Sequence, residues 1–250
     1  MIHFADPYLI SPTHQITVTV VGVGGNGTQA LHDLAKIHMS LVALGHPGLF
    51  VTAIDPDIVE TPNIGRQKFS EADLGCLKAE IMISRINRFY GLNWRCIADM
   101  FISNKWKGSN ILISCIDNVK GRKIMEGAFK HKKSHIEYQK PMYWLDFGNG
   151  KDFGQFVLGS NEITQPDSYE DKTSKLKNVI DMFPNMEENE EISGPSCSTR
   201  EALLKQDLFI NSILVSTGMS LLWRLLSDYN IDYHGGYVNL NKGVTKPIKI

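Results

Sequence analysis

Four glycines in six positions, Gly22-Val23-Gly24-Gly25-Asn26-Gly27, constrain this chain more than any other feature. The run before them, Ile16 to Val21, alternates Thr with Val and Ile. β-branched residues of this kind suit a pleated strand. The run after them places apolar residues at Leu31, Leu34, Ile37 or Met39, Leu41 and Leu44, a helical spacing. Gly22, Gly24, Gly25 and Gly27 permit a tight turn and let the backbone approach a ligand closely. Strand, glycine turn and helix together aim helix N-terminal amides at a phosphate or a carboxylate. Alone, the motif also fits a tight turn in any α/β domain.

Leu49 to Ile54 predicts a second, buried strand ending at Asp55, and Asp55 to Phe69 reads as a loop. Ser70-Glu71-Ala72-Asp73 has the form of a capping box for a short turn. A helix follows over Leu77 to Tyr90, with Ile81, Ile83 or Ser84, Ile86 and Phe89 on its buried side. Asn93 to Ala98 and Asn110 to Cys115 predict strands, and a helix runs from Asn118 to near Lys130. Tyr143 to Phe147 and Gly154 to Leu158 predict two more strands, the second antiparallel. Strands alternating with helices argue for an α/β, Rossmann-like domain, with a mostly parallel sheet and helices on both faces. Residues 161–194 carry DSYEDK, KLK and EENEE with few periodic apolar residues, and are expected to form a long, mobile crossover loop. Ser198-Thr199-Arg200-Glu201 fits a cap for a long helix through Ser227, and residues 235–250 supply terminal strands. The expectation is a single domain spanning residues 1–250.

A net charge of −1 gives no broad electrostatic case for nucleic acid or an anionic membrane. No apolar run reaches bilayer-spanning length, and MIHFADPYLISPTHQ lacks the basic-then-apolar form of a leader. Cys76, Cys96, Cys115 and Cys197 form no C-x-x-C pair. No structural zinc on paired cysteines is expected, and a reducing cytoplasm is the expected setting.

The chemistry-bearing residues follow the second strand. An acid at its end, Asp55, is placed to hydrogen-bond ribose hydroxyls. Asn63, Arg66, Gln67 and Lys78 then crowd polar and cationic groups downstream. An arginine fork and a lysine ammonium are the donors a triphosphate requires, although both also occur as ordinary surface charges. Asp117 directly follows the strand NILISC. A carboxylate there can hold magnesium against phosphates, cap the next helix, or do both.

In order along the chain stand GxGGxG (Gly22 to Gly27), D-x-D-x-V-x-x-x-N-x-x-R-Q (Asp55 to Gln67), G-x-x-K (Gly75 to Lys78) and C-x-D-N (Cys115 to Asn118). Together they resemble the ThiF/MoeB/HesA adenylation family, related to ubiquitin-activating enzymes, over residues 15–160. The segment PSCSTREALLKQDLFINS most resembles the ThiF-type branch of the bacterial PRTRC gene system. The resemblance implies that Asp55 binds the ATP ribose and that Asn63, Arg66 and Lys78 contact the phosphates. Asp57, Gln67 and Asn118 belong to the same motifs, and Asp117 holds Mg2+. It implies adenylation of the C-terminal glycine of a ubiquitin-like or sulfur-carrier protein by a homodimer, with a conjugating enzyme as a possible further partner.

The chain departs from the family twice. Many members supply an arginine near the N-terminus to the partner subunit's ATP, yet none occurs here before Arg66. Arg85, Arg88 or Arg122 must act instead, or that contribution is missing. The paired zinc-binding cysteines of many bacterial members are also absent. Cys197 immediately precedes the cap Ser198, where helix amides stabilise a thiolate. The autophagy branch carries its thioester cysteine in a similar C-T-x-T-R segment, which implies a nucleophile here; a cysteine beside a cap by chance is the plain alternative. Two other functions compete: an NAD-dependent oxidoreductase, which explains Asp55 but not Arg66, Lys78 and Asp117 together, and a non-catalytic scaffold on an adenylation fold.

Overall fold

The computed structural model describes residues 1–163, 175–186, 201 and 204–250. The strands are β1 (His3–Phe4), β2 (Ile16–Val21), β3 (Leu49–Ile54), β4 (Arg95–Ile97), β5 (Ile111–Ser114), β6 (Tyr143–Asn149), β7 (Phe153–Ser160), β8 (Asn230–Ile231), β9 (Tyr233–Asn239) and β10 (Val244–Lys249). The helices are α1 (Pro7–Ile10), α2 (Gly25–Ala43), α3 (Lys78–Tyr90), α4 (Val119–His131), α5 (Val179–Met182) and α6 (Ile210–Ser227). One eight-stranded sheet runs β10-β9-β7-β6-β5-β2-β3-β4. From β6 to β4 every pairing is parallel. β7, β9 and β10 extend the sheet antiparallel.

Alternating side chains explain the two faces. Ile111, Ile113, Leu145, Phe147, Phe156 and Leu158 enter one core with α2, α3 and α6. Their neighbours Leu112, Trp144 and Val157 enter the other, with Met125 and Phe129 of α4 and Val179 of α5. Period-two alternation sends successive residues to opposite faces, and here both faces are covered, so β5 is buried throughout and β6 is buried from Tyr143 to Phe147. This is the Rossmann-like arrangement expected from the alternation of strands and helices.

Three expectations need correction. The helix expected to run unbroken to Ser227 is interrupted at Gln206 to Phe209, and α6 begins only at Ile210. Phe89 is 81% exposed and stacks edge-on against Tyr90, because α3 buries Ala79, Met82, Ile83 and Ile86 instead. The stretch 161–194 is also not uniformly without apolar anchors. Leu176 and Val179 are buried, Ser160 N donates to the Leu176 carbonyl at 3.1 Å, and Leu176 N donates to Ser160 Oγ at 3.0 Å. Asn178 caps α5 through the amides of Ile180 and Asp181. The rest of that expected mobile loop, 164–174 and 187–194, lies outside the described residues.

Candidate functional site

The sheet order creates the site. From β2 the chain moves outward to β3, then returns to β5 on the other side of β2. The crevice outside the carboxyl ends of strands at such a reversal is where open α/β sheets bind ligands. Register brings the three strand ends level: Val21 pairs with both Ile54 and Ser114. Gly22, Asp55 and the Cys115–Asp117 turn therefore emerge side by side.

Gly22 requires its lack of a side chain: φ is +89°, and a Cβ would lie 2.7 Å from the Cys115 carbonyl oxygen. Gly27 is confined by backbone too, its Cβ position falling 1.9 Å from the Gly22 oxygen. Those two glycines shape the turn. Gly24 and Gly25, at the cap and first position of α2, face side chains instead. A Cβ on Gly24 would lie 3.9 Å from Gln67 Nε2, and one on Gly25 only 2.4 Å from Asn211 Nδ2. α6 is held in that position by Ser216, whose Oγ donates to Asp33 of α2 at 2.9 Å.

Asp55 is fixed from both sides. Oδ2 accepts from the Val23 amide of the glycine turn and Oδ1 from the Asp57 amide at 2.8 Å. Burial raises its carboxyl above the ordinary value, and the two backbone donors oppose that shift. Each oxygen keeps a further acceptor lone pair, so the donor chemistry of a ribose is matched.

The next segment folds back on itself. Lys78 N donates to the Asp57 carbonyl at 2.9 Å, and Val59 N to that of Cys76 at 2.8 Å. Ser70 and Asp73 form the expected capping box, with Ser70 N to Asp73 Oδ2 at 2.7 Å. This return places the largely buried Lys78 ammonium 3.0 Å from Asp57 Oδ2, an otherwise exposed carboxylate. Asn63 turns inward to close the short turn Thr61–Asn63, its Oδ1 accepting from Glu60 N at 2.9 Å. Arg66 donates through Nη1 to Gln206 Oε1, which also accepts from Asn211 Nδ2 at 3.3 Å. Burial alone lowers the guanidinium value. Arg66 Nε, Gln67 Oε1 and Asn26 Oδ1 are buried without a partner among the described residues. Asn26 Nδ2 donates to Asn149 Oδ1 at 2.8 Å.

On the β5 side, Asn118 and not Asp117 caps α4: its Oδ1 accepts from Gly121 N at 2.7 Å. The cap role offered to Asp117 is thereby taken by its neighbour, and Asp117 stays exposed at the edge of the crevice. Among the described residues no three His, Cys, Asp or Glu side chains cluster as a metal cage. A single carboxylate still fits magnesium, which is held by one or two carboxylates plus substrate phosphates. The orphaned Arg66 donor, the Lys78 ammonium and the glycine face fit a polyphosphate in the same way.

Cys197 and the expected cap Ser198 lie outside the described residues. Of the other three, Cys96 and Cys115 are less reactive thiols than Cys76, which is half-buried and free among the described residues. Burial, then the Asp146 charge, raises the Cys115 thiol well above its ordinary value. Burial raises Cys96 too. Of the three cations considered for the missing N-terminal arginine, Arg122 is buried against Asp146 and Arg85 is paired with Asp73, while Arg88 is exposed. Gln206, Asn211 and Asn149 escaped the sequence analysis. The available signal was weak: one asparagine in the first turn of an apolar helix.

Residues 11–140 match the sequence model of the ThiF family. No curated protein matches the chain. Among solved structures, PaaA aligns with a TM-score of 0.60 at 15% identity, covering 94% of this chain and 64% of that one. E. coli MccB with MccA-N7isoASN aligns with a TM-score of 0.57 at 16% identity, again over 94% of this chain and 64% of the other. E. coli MccB alone gives 0.59 at 14% identity, over 96% and 63%. The chain thus spans somewhat less than two thirds of these neighbours, and identities this low carry the fold and nothing further. No helix among the described residues is long and apolar enough to cross a membrane.

Proposed function

The chain belongs to the ThiF family, and from that premise we propose that it uses Mg-ATP to adenylate the C-terminal glycine carboxylate of a ubiquitin-like or sulfur-carrier protein. The observation that carries the proposal is the convergence of Gly22–Gly27, Asp55, Arg66, Lys78 and Asp117 on the carboxyl ends of three adjacent strands. Bound ATP would supply an electrophilic α-phosphorus: a carboxylate oxygen bonds to it as its bond to the β-phosphate bridging oxygen breaks and pyrophosphate leaves, which brings anions together. Positioning and charge neutralisation are then the main tasks of the protein.

The residues divide that work. Asp55, oriented by Val23 and Asp57, accepts from ribose hydroxyls. Arg66 and Lys78 hold phosphate oxygens, with Asn63 and Gln67 lining the same side. Asp117 holds Mg2+, and Asn118 keeps the turn in place by capping α4. Gly24 and Gly25 bring backbone close to phosphate and an extended peptide tail, with the Gln67 amide beside Gly24 and the Asn211 amide, which must turn aside, over Gly25. Cys197 then takes the acyl group from the adenylate as a thioester, with AMP leaving, in keeping with the likeness of its segment to the C-T-x-T-R segment of the autophagy branch. A homodimer, a conjugating enzyme downstream and a cytoplasmic setting belong to the same proposal.

Pyrophosphate–ATP exchange, assayed with candidate carrier proteins, tests it. Exchange that depends on a carrier and is crippled by Asp117→Ala is the expected result. Full exchange in Asp117→Ala refutes the metal role, and no exchange with any carrier returns the chain to the scaffold reading. Cys197→Ala is expected to retain exchange and lose a reductant-sensitive adduct with the carrier. An adduct that survives removes Cys197 from the scheme.

A further inference from the structure

Arg122 lies in the first turn of α4 and is almost wholly buried. Its Nε donates to Asp146 Oδ1 at 2.9 Å, and its Nη2 donates to the Ile116 carbonyl at 2.7 Å and the Phe147 carbonyl at 3.1 Å. Asp146 Oδ1 also accepts from Ser114 Oγ, which in turn accepts from Trp144 Nε1 at 2.7 Å. The guanidinium thus joins the middle of β6 to the turn between β5 and α4, and through Asp146 reaches Ser114 at the end of β5. Ile116 is the residue immediately before Asp117. Asn118, immediately after it, is fixed by the cap on Gly121 N at 2.7 Å. An exposed acid is therefore carried between two pinned backbone positions.

Packing does not account for this arrangement. Removing two charges from water is expensive, and an apolar replacement of similar volume commonly serves stability as well or better. Here the expense is increased, because Asp146 Oδ2 is buried with no partner among the described residues. What an apolar pair does not supply is a donor fork that holds the Ile116 carbonyl. We propose that Arg122, oriented by Asp146, is a positioning residue that pre-sets the Asp117 turn for a divalent cation bound with nucleotide. The inference rests on the nucleotide reading above. Groups that orient a metal ligand from behind typically contribute ten- to a hundredfold in metal affinity, about the range expected here.

The test is binding, not turnover. A fluorescent ATP analogue is titrated into wild-type protein and Arg122→Lys in EDTA, then at rising Mg2+. Lysine keeps the charge but lacks the fork that reaches both Asp146 and Ile116. The expected result is a Mg2+ midpoint raised about tenfold or more, with metal-free nucleotide binding and the circular dichroism spectrum unchanged. Asp146→Asn, nearly isosteric and still an acceptor at Oδ1, is expected to shift the midpoint in the same direction. Folded variants with wild-type midpoints overturn the proposal. Failure of both variants to fold assigns the pair to the fold alone and overturns it as well. A wild-type protein that binds no nucleotide at any Mg2+ concentration refutes the nucleotide reading, and this inference falls with it.

Discussion

Placing a methyl on Gly25 should separate the part of the glycine turn that makes the fold from the part that receives a ligand. A Cβ there lies 2.4 Å from Asn211 Nδ2 and 2.7 Å from Asn211 Cγ, both side-chain atoms. Asn211 can rotate away, at the loss of its 3.3 Å bond to Gln206, about 1 kcal/mol for a neutral hydrogen bond. Alanine in place of glycine in a helix returns roughly 0.5–1 kcal/mol. The stability of Gly25→Ala should therefore stay within about 1 kcal/mol of wild type. Nucleotide affinity should not, because the methyl and the displaced Asn211 amide crowd the glycine face proposed to receive phosphate; a loss of about tenfold, or ~1.4 kcal/mol, is expected. Gly27→Ala is the contrast. Its Cβ meets the Gly22 carbonyl oxygen at 1.9 Å, and Gly22 is itself backed by Cys115 backbone. Nothing can rotate aside, so a cost of about 3 kcal/mol or more is expected. Urea denaturation reads stability and a fluorescent nucleotide reads affinity. Wild-type affinity in Gly25→Ala, or a stability loss equal to that of Gly27→Ala, would refute the division.

Leu176→Ala should cost about 2–5 kcal/mol, as for a fully buried leucine, measured by urea denaturation; a loss under about 1 kcal/mol would mean that 175–186 is not anchored as described. Stability should also fall on acidification. Burial, then the neighbouring His234, lowers His3 from 6.5 to about 4, so between those values the unfolded chain binds the extra proton. Stability is full above 6.5 and is lost as pH falls toward 4, by up to about 3 kcal/mol for this group alone. His38, His46 and His234 are shifted in the same direction, while the raised Asp55 works in the opposite sense. Urea midpoints at pH 7.5 and 5 check this, and equal midpoints would contradict it.

The sheet and the positions of the motifs were legible because they depend on local pattern. Ile16 to Val21 is β-branched, Ser70 and Asp73 have capping spacing, and the glycine turn joins strand to helix in six residues. What stayed hidden depends on partners distant in sequence. Nothing local distinguishes Asn118 from Asp117 as the cap of α4, since both residue types cap well. The break at 206–209 places Gln206 against Arg66, 140 positions away. Leu176 lies in a charged stretch whose composition suggests solvent, yet one leucine and a pair of bonds to Ser160 are enough to fix it. Phe89 failed for the opposite reason: helical spacing names a stripe, but which edge of that stripe is covered depends on its neighbours.

The cations of the crevice differ from the structural one in the partners that hold them. Arg66 rests on a neutral amide, Gln206, and retains an Nε without a partner among the described residues. Lys78 rests on Asp57, whose side chain is 63% exposed and can be rehydrated when it is released. Phosphate gives Arg66 a charged acceptor in place of the neutral Gln206 amide, and gives Lys78 one anion in place of another. Exchange of partners at these two residues therefore costs little. Arg122 has no such freedom. Its acid is 1% exposed, and separating the two would strand a buried carboxylate at a cost of about 3–5 kcal/mol. The same residue type thus serves two purposes within one site, and the exposure of the partner decides which. On the proposed reading Arg66 and Lys78 exchange these partners for phosphate, whereas the buried Arg122–Asp146 pair stays in the frame.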